Sequence, residues 1–469
     1  MRLEYFILIF QEEQKMFKKI ASLILAVLMV ASLAVVFTSC EKENGPVDEE
    51  VGGNEAEETV GAFGFDKTFD LAESGVVRYT GADVAEGTAV ENFKVGVILI
   101  GDESEGYSEA HINGILKAIN ALGLDADTQV IWKKKVDETE NCYNAAKELV
   151  AAGCQLVISN SYGHQDYTKQ AASEFPQVQF VAMTGDTAAA SGLDNFSNAF
   201  TSVYESRYLA GVVAGMKLAE LVADGKVADA NKDENGNIKL GYVGAFNYAE
   251  VVSGYTAFYL GVKSVVDNVV MDVQYTNSWF DWDGEYTTAK ALMDNGCIII
   301  GQHADSTGAP TAVEEYYKAG KTVYSVGYNI DMLGVAPDAA LTSAANNWAS
   351  YYEYAIKTAM YGGKVATNWT GAYAEGAVCI TDLGASVAAG TAEKVKEVIA
   401  SLKEGKINVF DTSKFTVGGK TVSYAFASDT DGDWTNDSNN AVADGFFHES
   451  YVQSAPAFSI RIDGITELN

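Results

Sequence analysis

Residues 274–286 read Q-Y-T-N-S-W-F-D-W-D-G-E-Y and set Trp279, Phe280 and Trp282 beside Asp281, Asp283 and Glu285. The chain has 6 Trp, and two of them stand here, three positions apart. Aromatic faces stack on flat ligands and carboxylates read polar edges, so the pattern suits one wall of a binding site. It also brings glycoside hydrolysis to mind, but that chemistry needs carboxylates on opposite sides of the scissile bond, which one local cluster does not supply. Other catalytic signatures are missing: there is no G-x-S-x-G, Walker loop or H-E-x-x-H, and G-D-E-S-E-G at 101–106 is too acidic to cradle phosphate. The 4 His (His111, His164, His303, His448) are too scattered for a metal cluster. Cys142, Cys154, Cys297 and Cys379 form no C-x-x-C and read as small core residues. N-K-D-E-N-G-N-I at 231–238 looks like half a calcium loop but has Tyr242 where the last bidentate ligand belongs, so it reads as a turn. The calcium candidate is D-T-D-G-D-W-T-N-D, with Asp429, Asp431, Asp433 and Asp437. No other metal and no cofactor is expected.

The elements that must carry these residues alternate. K-V-G-V-I-L-I (94–100) is an apolar run of strand length, and Ile112, Ile115, Leu116, Ile119 and Leu122 follow at helical spacing. Further short apolar strands, Val130–Trp132, Q-L-V-I-S and Q-V-Q-F-V-A-M, are separated by helical stretches. This order predicts parallel sheets covered on both faces. The pattern then repeats. Cys154 and Cys297 sit in matching segments at an offset of 297 − 154 = 143, Gly96 and Gly241 at 241 − 96 = 145, and Gly185 and Gly327 at 327 − 185 = 142. Two similar βαβ lobes are expected, with later elements crossing back to complete each and a hinge between them.

Ligands of open parallel sheets sit beyond the carboxyl ends of the strands. Those ends carry Asp102–Tyr107, Asn160–Tyr162 and Thr184–Asp186 in the first lobe. In the second they carry Phe246-Asn247, Asn277–Asp281, Gln302–Asp305 and Tyr328-Asn329. Aromatics and side chains with fixed donors and acceptors recur there, the mixture that ligand pockets carry. Purines and sugars both fit. His303 reads as a hydrogen-bonding or structural residue rather than a catalytic base.

A net charge of −32 over 469 residues argues against nucleic acid and anionic lipid as partners. Met16-Phe17-Lys18-Lys19, an apolar run to Phe37 and then F-T-S-C form a secretory signal that resembles a bacterial lipobox. The resemblance implies cleavage before Cys40 and lipidation there, with Met16 a possible start and an uncleaved anchor the alternative. The expected organisation is a signal peptide at 1–40, an acidic disordered tether at 41–60 and an N-terminal extension at 61–92. Lobe I follows as 93–203 plus 330–372, lobe II as 204–329 plus 373–422, and a β-rich C-terminal extension as 423–469.

Several stretches together resemble one family. Y-L-A-G-V-V-A-G (208–215), T-N-S-W-F-D (276–281), G-Q-H-A-D-S (301–306), G-Y-N-I-D-M (327–332) and L-T-S-A-A-N-N-W (341–348) are similar to the basic membrane protein family of solute-binding lipoproteins, which includes purine-nucleoside receptors of ABC importers. The resemblance spans roughly residues 93–422. It implies an α/β fold of the type I periplasmic-binding-protein kind, two Rossmann-like lobes with a hinge and an interlobe ligand cleft. It further implies a purine-type ligand, an ABC permease partner, a lipid anchor on the extracytoplasmic face, a monomer and no enzymatic activity. Tyr107 falls where the family stacks a base from lobe I, and Trp279 where it stacks one from lobe II. Asn329 stands where the family has an Asp that holds ribose, Asn346 where it has a Lys, and Ser108 where it has an Asn. The ligand-binding residues expected are Asp102, Tyr107, Ser108, Tyr162, Trp279, His303, Asp305, Asn329, Asn346 and Trp348, with nucleobase and nucleoside both open. The rival readings are a nucleoside or glycoside hydrolase on this scaffold, and a membrane-anchored ligand sensor.

Overall fold

A computed structural model describes residues 74–426 and 440–469. Cys40, the signal, the 41–60 tether and the calcium candidate Asp429, Asp431, Asp433 and Asp437 lie outside the described residues. Among the described residues no helix is long and apolar enough to cross a membrane.

The first sheet contains β1 (Val95–Ile98), β2 (Val130–Lys133), β3 (Leu156–Ser159), β4 (Gln179–Met183) and β5 (Phe196–Ala199) in the order β2-β1-β3-β4-β5, all parallel. The second contains β6 (Ile238–Gly244), β7 (Val269–Tyr275), β8 (Ile299–Gln302), β9 (Tyr324–Tyr328) and β10 (Ala340–Asn346) in the same order, β7-β6-β8-β9-β10. β1, β3 and β5 are buried at every position, because helices cover both faces of the sheet. Helix α1 (Gly106–Ala121) shows how the sequence does this. Glu105 caps it by accepting from the Tyr107 and Ser108 amides, and Ile112, Ile115 and Ile119 are buried one turn apart. Leu116 falls off that stripe and is exposed. α2 (Glu140–Ala151) and α3 (Gln165–Glu174) cover the other face of this sheet.

In the second lobe, α4 (Val203–Ala223) and α5 (Ala249–Lys263) pack against each other over one face, and α6 (Trp282–Asp294) and α7 (Gly308–Lys318) cover the other. The α4–α5 contact is backbone-close. A Cβ on Gly211 would lie 2.2 Å from the Phe258 carbonyl, so the G-V-V-A-G stretch is small for packing reasons.

Strand register corrects one of the three repeat anchors. Gly96 pairs with Val157 and Val157 with Phe180; Gly241 pairs with Ile300 and Ile300 with Ser325. Phe180 is therefore equivalent to Ser325, an offset of 325 − 180 = 145, and Gly327 corresponds to Ala182 rather than Gly185. The lobe boundary differs too. Residues 340–346, expected in lobe I, form β10 and pair with β9, because the second sheet needs its own fifth strand. The chain crosses only at Asn347-Trp348, and α8 (Ala349–Met360) then packs on α1. It contributes β11 (Asn368–Trp369) to the first sheet, beside β5, and returns as β12 (Val378–Ile380), antiparallel to β10. α9 (Thr391–Lys403) then packs on α4 and ends before Gly405, which has φ +65°. Among the described residues beyond it, a short hairpin, β13 (Val442–Ala443) and β14 (Phe446–Phe447), and an edge strand, β15 (Ile465–Glu467) parallel to β7, are strand.

Candidate functional site

Both sheets point their carboxyl ends at each other. A Cβ on Gly106, at the start of α1, would lie 3.4 Å from the Asp305 carbonyl and from the Ile330 side chain of the second lobe. On one flank the Tyr162 and Tyr248 rings of opposite lobes approach to 6.5 Å.

The second lobe supplies an aromatic wall. Trp279 is half-buried and meets Phe246 edge-on at 5.3 Å, with Tyr248 at 6.2 Å and His303 at 6.4 Å. Its position is set by the backbone: β7 ends at Tyr275, Asn277 turns the chain at φ +56°, and the Trp279 carbonyl accepts from the Asp305 amide at 2.8 Å. The acidic neighbours do other work. Asp281 caps α6 through the Gly284 amide, and buried Glu285 accepts from the Ser306 amide at 3.1 Å, tying this loop to the next. Burial pushes the Glu285 carboxyl up to about 7. Phe280 is exposed, and Trp282 stacks on Tyr286 at 5.0 Å.

His303 is fully buried behind this wall. Its Nε2 lies 2.6 Å from a Glu250 oxygen, and a Cβ on Gly254 would fall 2.6 Å from its Nδ1, so only glycine admits the ring there. Burial, then the Arg207 charge, lower its pKa to about 4, so the neutral ring donates Nε2–H to Glu250. His303, expected among the ligand-binding residues, thus has its Nε2 taken up by Glu250. The carboxylate that it orients, Glu250, is the more exposed of the two. Arg207, also buried, donates to the Gln302 carbonyl at 2.5 Å and lies 3.7 Å over the Tyr328 ring.

A second set of groups runs toward the hinge. Asn329 Nδ2 donates to Asp305 at 2.7 Å, Asn346 Nδ2 donates to Asn329 at 3.1 Å, and the Thr201 hydroxyl donates to Asn346. Burial, then the Glu105, Glu285 and Glu250 charges, raise the Asp305 pKa well above the usual carboxylate range. Asn329, Asn346 and Trp348 also line a cavity of about 300 Å³, whose other wall is Glu109, Asn113 and Lys117 of α1.

The first lobe offers fewer free groups. The half-buried Tyr107 donates its hydroxyl to the Asn160 carbonyl at 2.6 Å and meets His111 edge-on at 4.5 Å. Ser108 is buried, accepting from the Gly101 backbone amide at 3.1 Å and the Asn160 side-chain amide at 3.2 Å, and so holds the β1–α1 loop. Asp102 binds Ser104 and pairs with Lys135 at 2.7 Å, which holds its carboxyl well below the usual range. Tyr162 bonds Asp186 at 3.1 Å. Trp348 stacks on His111 at 4.4 Å and is buried, so its indole belongs to the lobe I core except where it edges the cavity.

The structure thus brings together Trp279, Asp305, Asn329 and Asn346, with Tyr107 opposite, and sets Ser108, His303 and Trp348 behind them. Sequence reasoning took Glu285 only as one of the acids of the 279–285 cluster and passed over Glu250 and Arg207, which sit on helices rather than at strand ends.

The profile of a family described as ABC transporter substrate-binding protein, PnrA-like, matches residues 94–413. The chain belongs to that family. A purine-binding protein of Brucella abortus is 31% identical over 323 residues, 69% of this chain and 84% of that one. A putative ABC transporter glucose-binding protein of Haloferax volcanii is 28% identical over 355 residues, 76% and 81% of the two chains. An ABC transporter solute-binding protein of Aeropyrum pernix superposes with a TM-score of 0.55 at 15% identity, over 68% of this chain and 93% of that one, a likeness of fold. The protein is accordingly a two-lobed extracytoplasmic receptor that takes up a small molecule for an ABC permease, and not an enzyme.

Proposed function

We propose that the receptor takes a purine-type ligand, nucleobase or nucleoside, held flat on Trp279 with Tyr107 on the opposing lobe. The observation that carries this is the half-buried Trp279 face, with the His303–Glu250 pair behind it and the Asp305–Asn329–Asn346 chain tied to it through the Asp305 amide. A flat ring gains from burial on the indole, and its polar edge meets acceptors and amides already fixed in place. Three hinge-side amide and hydroxyl groups suit hydroxyls without requiring charge, so base and nucleoside are both accommodated. The name of the Brucella relative supports the same class.

The proposal extends to the chain ends. Cys40 carries the lipid, and 41–60 tethers the receptor to the membrane as a monomer. A sugar is the second reading, favoured by the name of the Haloferax relative and by the same aromatic wall. Titration calorimetry with adenine, guanine, adenosine, guanosine, inosine and glucose tests both. Purine binding that Trp279→Ala abolishes is expected. Binding of glucose alone would overturn the purine reading.

A further inference from the structure

The segment 449–458 lies beyond the family match, which ends at residue 413. Both its ends are built into the second lobe. Before it, Phe447 packs on Phe410 and Phe458, with ring centroids 6.3 Å and 5.1 Å apart. After it, Phe458 stacks on Phe410 at 4.1 Å, Arg461 bonds Asn247 and pairs with Glu467 at 3.2 Å, and β15 joins β7.

Between these anchors the segment reaches the first lobe. The Tyr451 carbonyl accepts from the Ser74 hydroxyl at 3.1 Å and the Gly75 amide at 3.2 Å, and Val77 just beyond pairs with β11 as an added edge of the first sheet. The Ser454 hydroxyl donates to the Gly185 carbonyl at 3.4 Å.

These contacts locate the crossing. Gly185 follows the cleft end of β4, in the loop whose Asp186 bonds Tyr162. Glu449, buried and bonded to the Phe458 amide at 2.9 Å, lies beside Ser253 on α5, one turn from Glu250. The segment therefore passes from lobe to lobe beside the cleft, on the flank where Tyr162 and Tyr248 meet. The cavity lined by Asn329 and Asn346 adjoins α1, on the other flank.

Gln453 stands in the middle of this crossing. It is 8% exposed, and its carboxamide has no hydrogen-bond partner among the described residues. The carboxamide is not among the sealed, unpartnered polar atoms of the described residues, so it stays open to a group from outside the chain.

We propose that residues 449–458 form a third wall of the ligand site, tied to both lobes, and that Gln453 hydrogen-bonds the polar edge of the ligand. This rests on the interlobe cleft being the ligand site. It places part of the specificity outside the segment shared with the family. It also means that the lobes part only when Tyr451 and Ser454 release lobe I.

The test uses the full chain and two variants. Gln453→Ala removes the proposed contact. Gly75→Val acts at an exposed position, where a Cβ would come 2.8 Å from the Val452 carbonyl, and so displaces the strap from lobe I without touching the second-lobe core. Adenine, adenosine and glucose are titrated by calorimetry, and spin labels on the two lobes report the interlobe distance. Gln453→Ala is expected to weaken the probe that wild type binds by tenfold or more at unchanged melting temperature. Gly75→Val is expected to lengthen the unliganded interlobe distance. Unchanged affinity in Gln453→Ala overturns the contact, and an unchanged distance in Gly75→Val overturns the strap. Binding of glucose but no purine sinks the purine reading alone, since the same two comparisons then decide the wall with glucose. If wild type binds none of the probes, the contact is rejected with the purine reading and the distance decides the strap.

Discussion

The two lobes share one strand order and equivalent registers, yet they carry opposite chemistry at matching positions. After the third strand, lobe I has Asn160 and lobe II has His303; each backbone amide bonds the first strand of its sheet, at Ile98 and Val243. After the fourth strand, Thr184 and Asn329 are equivalent. Both hold positive φ, +63° and +62°, and both amides bond the fifth strand, at Ala199 and Ala344. Lobe I spends its polar groups on its own loops, as Ser108, Asn160 and Asp102 show. Lobe II gathers buried acids and amides about an aromatic wall. The scaffold repeat fixes where side chains stand, and the burial at each place decides whether they are consumed by the fold or left for a ligand.

The largest test of this contrast sets Trp279→Ala against Tyr107→Phe. The first removes the wall and is expected to weaken purine affinity about a hundredfold, since burying and stacking a large aromatic contributes about 3 kcal/mol. The second removes a hydroxyl already used on Asn160 and is expected to change affinity less than about threefold on the same energy scale. Comparable losses in calorimetry would mean that both lobes grip the ligand equally.

The acids sharpen the contrast through pH. Glu285 has its folded-state pKa raised from 4.5 to about 7, so between those values the native state holds a proton that the unfolded chain has lost. Stability therefore falls as pH rises across that window. Glu285→Gln keeps the backbone bonds and is expected to flatten this slope in chemical denaturation, gaining about 1–3 kcal/mol at pH 8. Asp102 has a depressed value, so its contribution is present above the ordinary carboxylate range and lost as pH falls; Asp102→Asn is expected to remove a slope of the opposite sign. Parallel profiles from the two variants would erase the distinction.

Smaller effects come from the equivalent left-handed pair. Asn329→Gly keeps the backbone but leaves Asp305 without its amide, and is expected to cost about 1–2 kcal/mol of stability and up to about tenfold in affinity. Thr184→Gly relieves a β-branched residue from the left-handed region and is expected to add about 0.5–1 kcal/mol, with affinity unchanged. A loss of ligand affinity in Thr184→Gly would show that lobe I contributes at its fourth strand after all.

Much of the scaffold was legible in the sequence. Short apolar strands between helical stripes admit little but a covered parallel sheet, and two of the three spacing anchors, Cys154 with Cys297 and Gly96 with Gly241, agree with the strand registers. Gly185 and Gly327 did not, because one packs against Asn198 and Gln165 in the loop after β4 and the other against Met332 and Ser343 within β9. The aromatic stretch that contains Trp279 was legible too, since a strand end must carry it. The partners of that stretch were not. His303 looks like a site residue in G-Q-H-A-D-S, and only packing shows it sealed beneath Gly254 and bonded to Glu250, 53 positions away.

The sequence alone determined the two-lobed parallel architecture, the placing of chemistry at strand ends and the family. These follow from periodicity and local spacing, which any window of the chain displays. Tertiary structure alone decided that β10 belongs to the second sheet, that Ser108 and Trp348 serve the first-lobe framework, and that the tail 449–458 lies between the lobes. Those outcomes depend on which surfaces meet when distant segments fold together, and on what burial then does to each charge and amide.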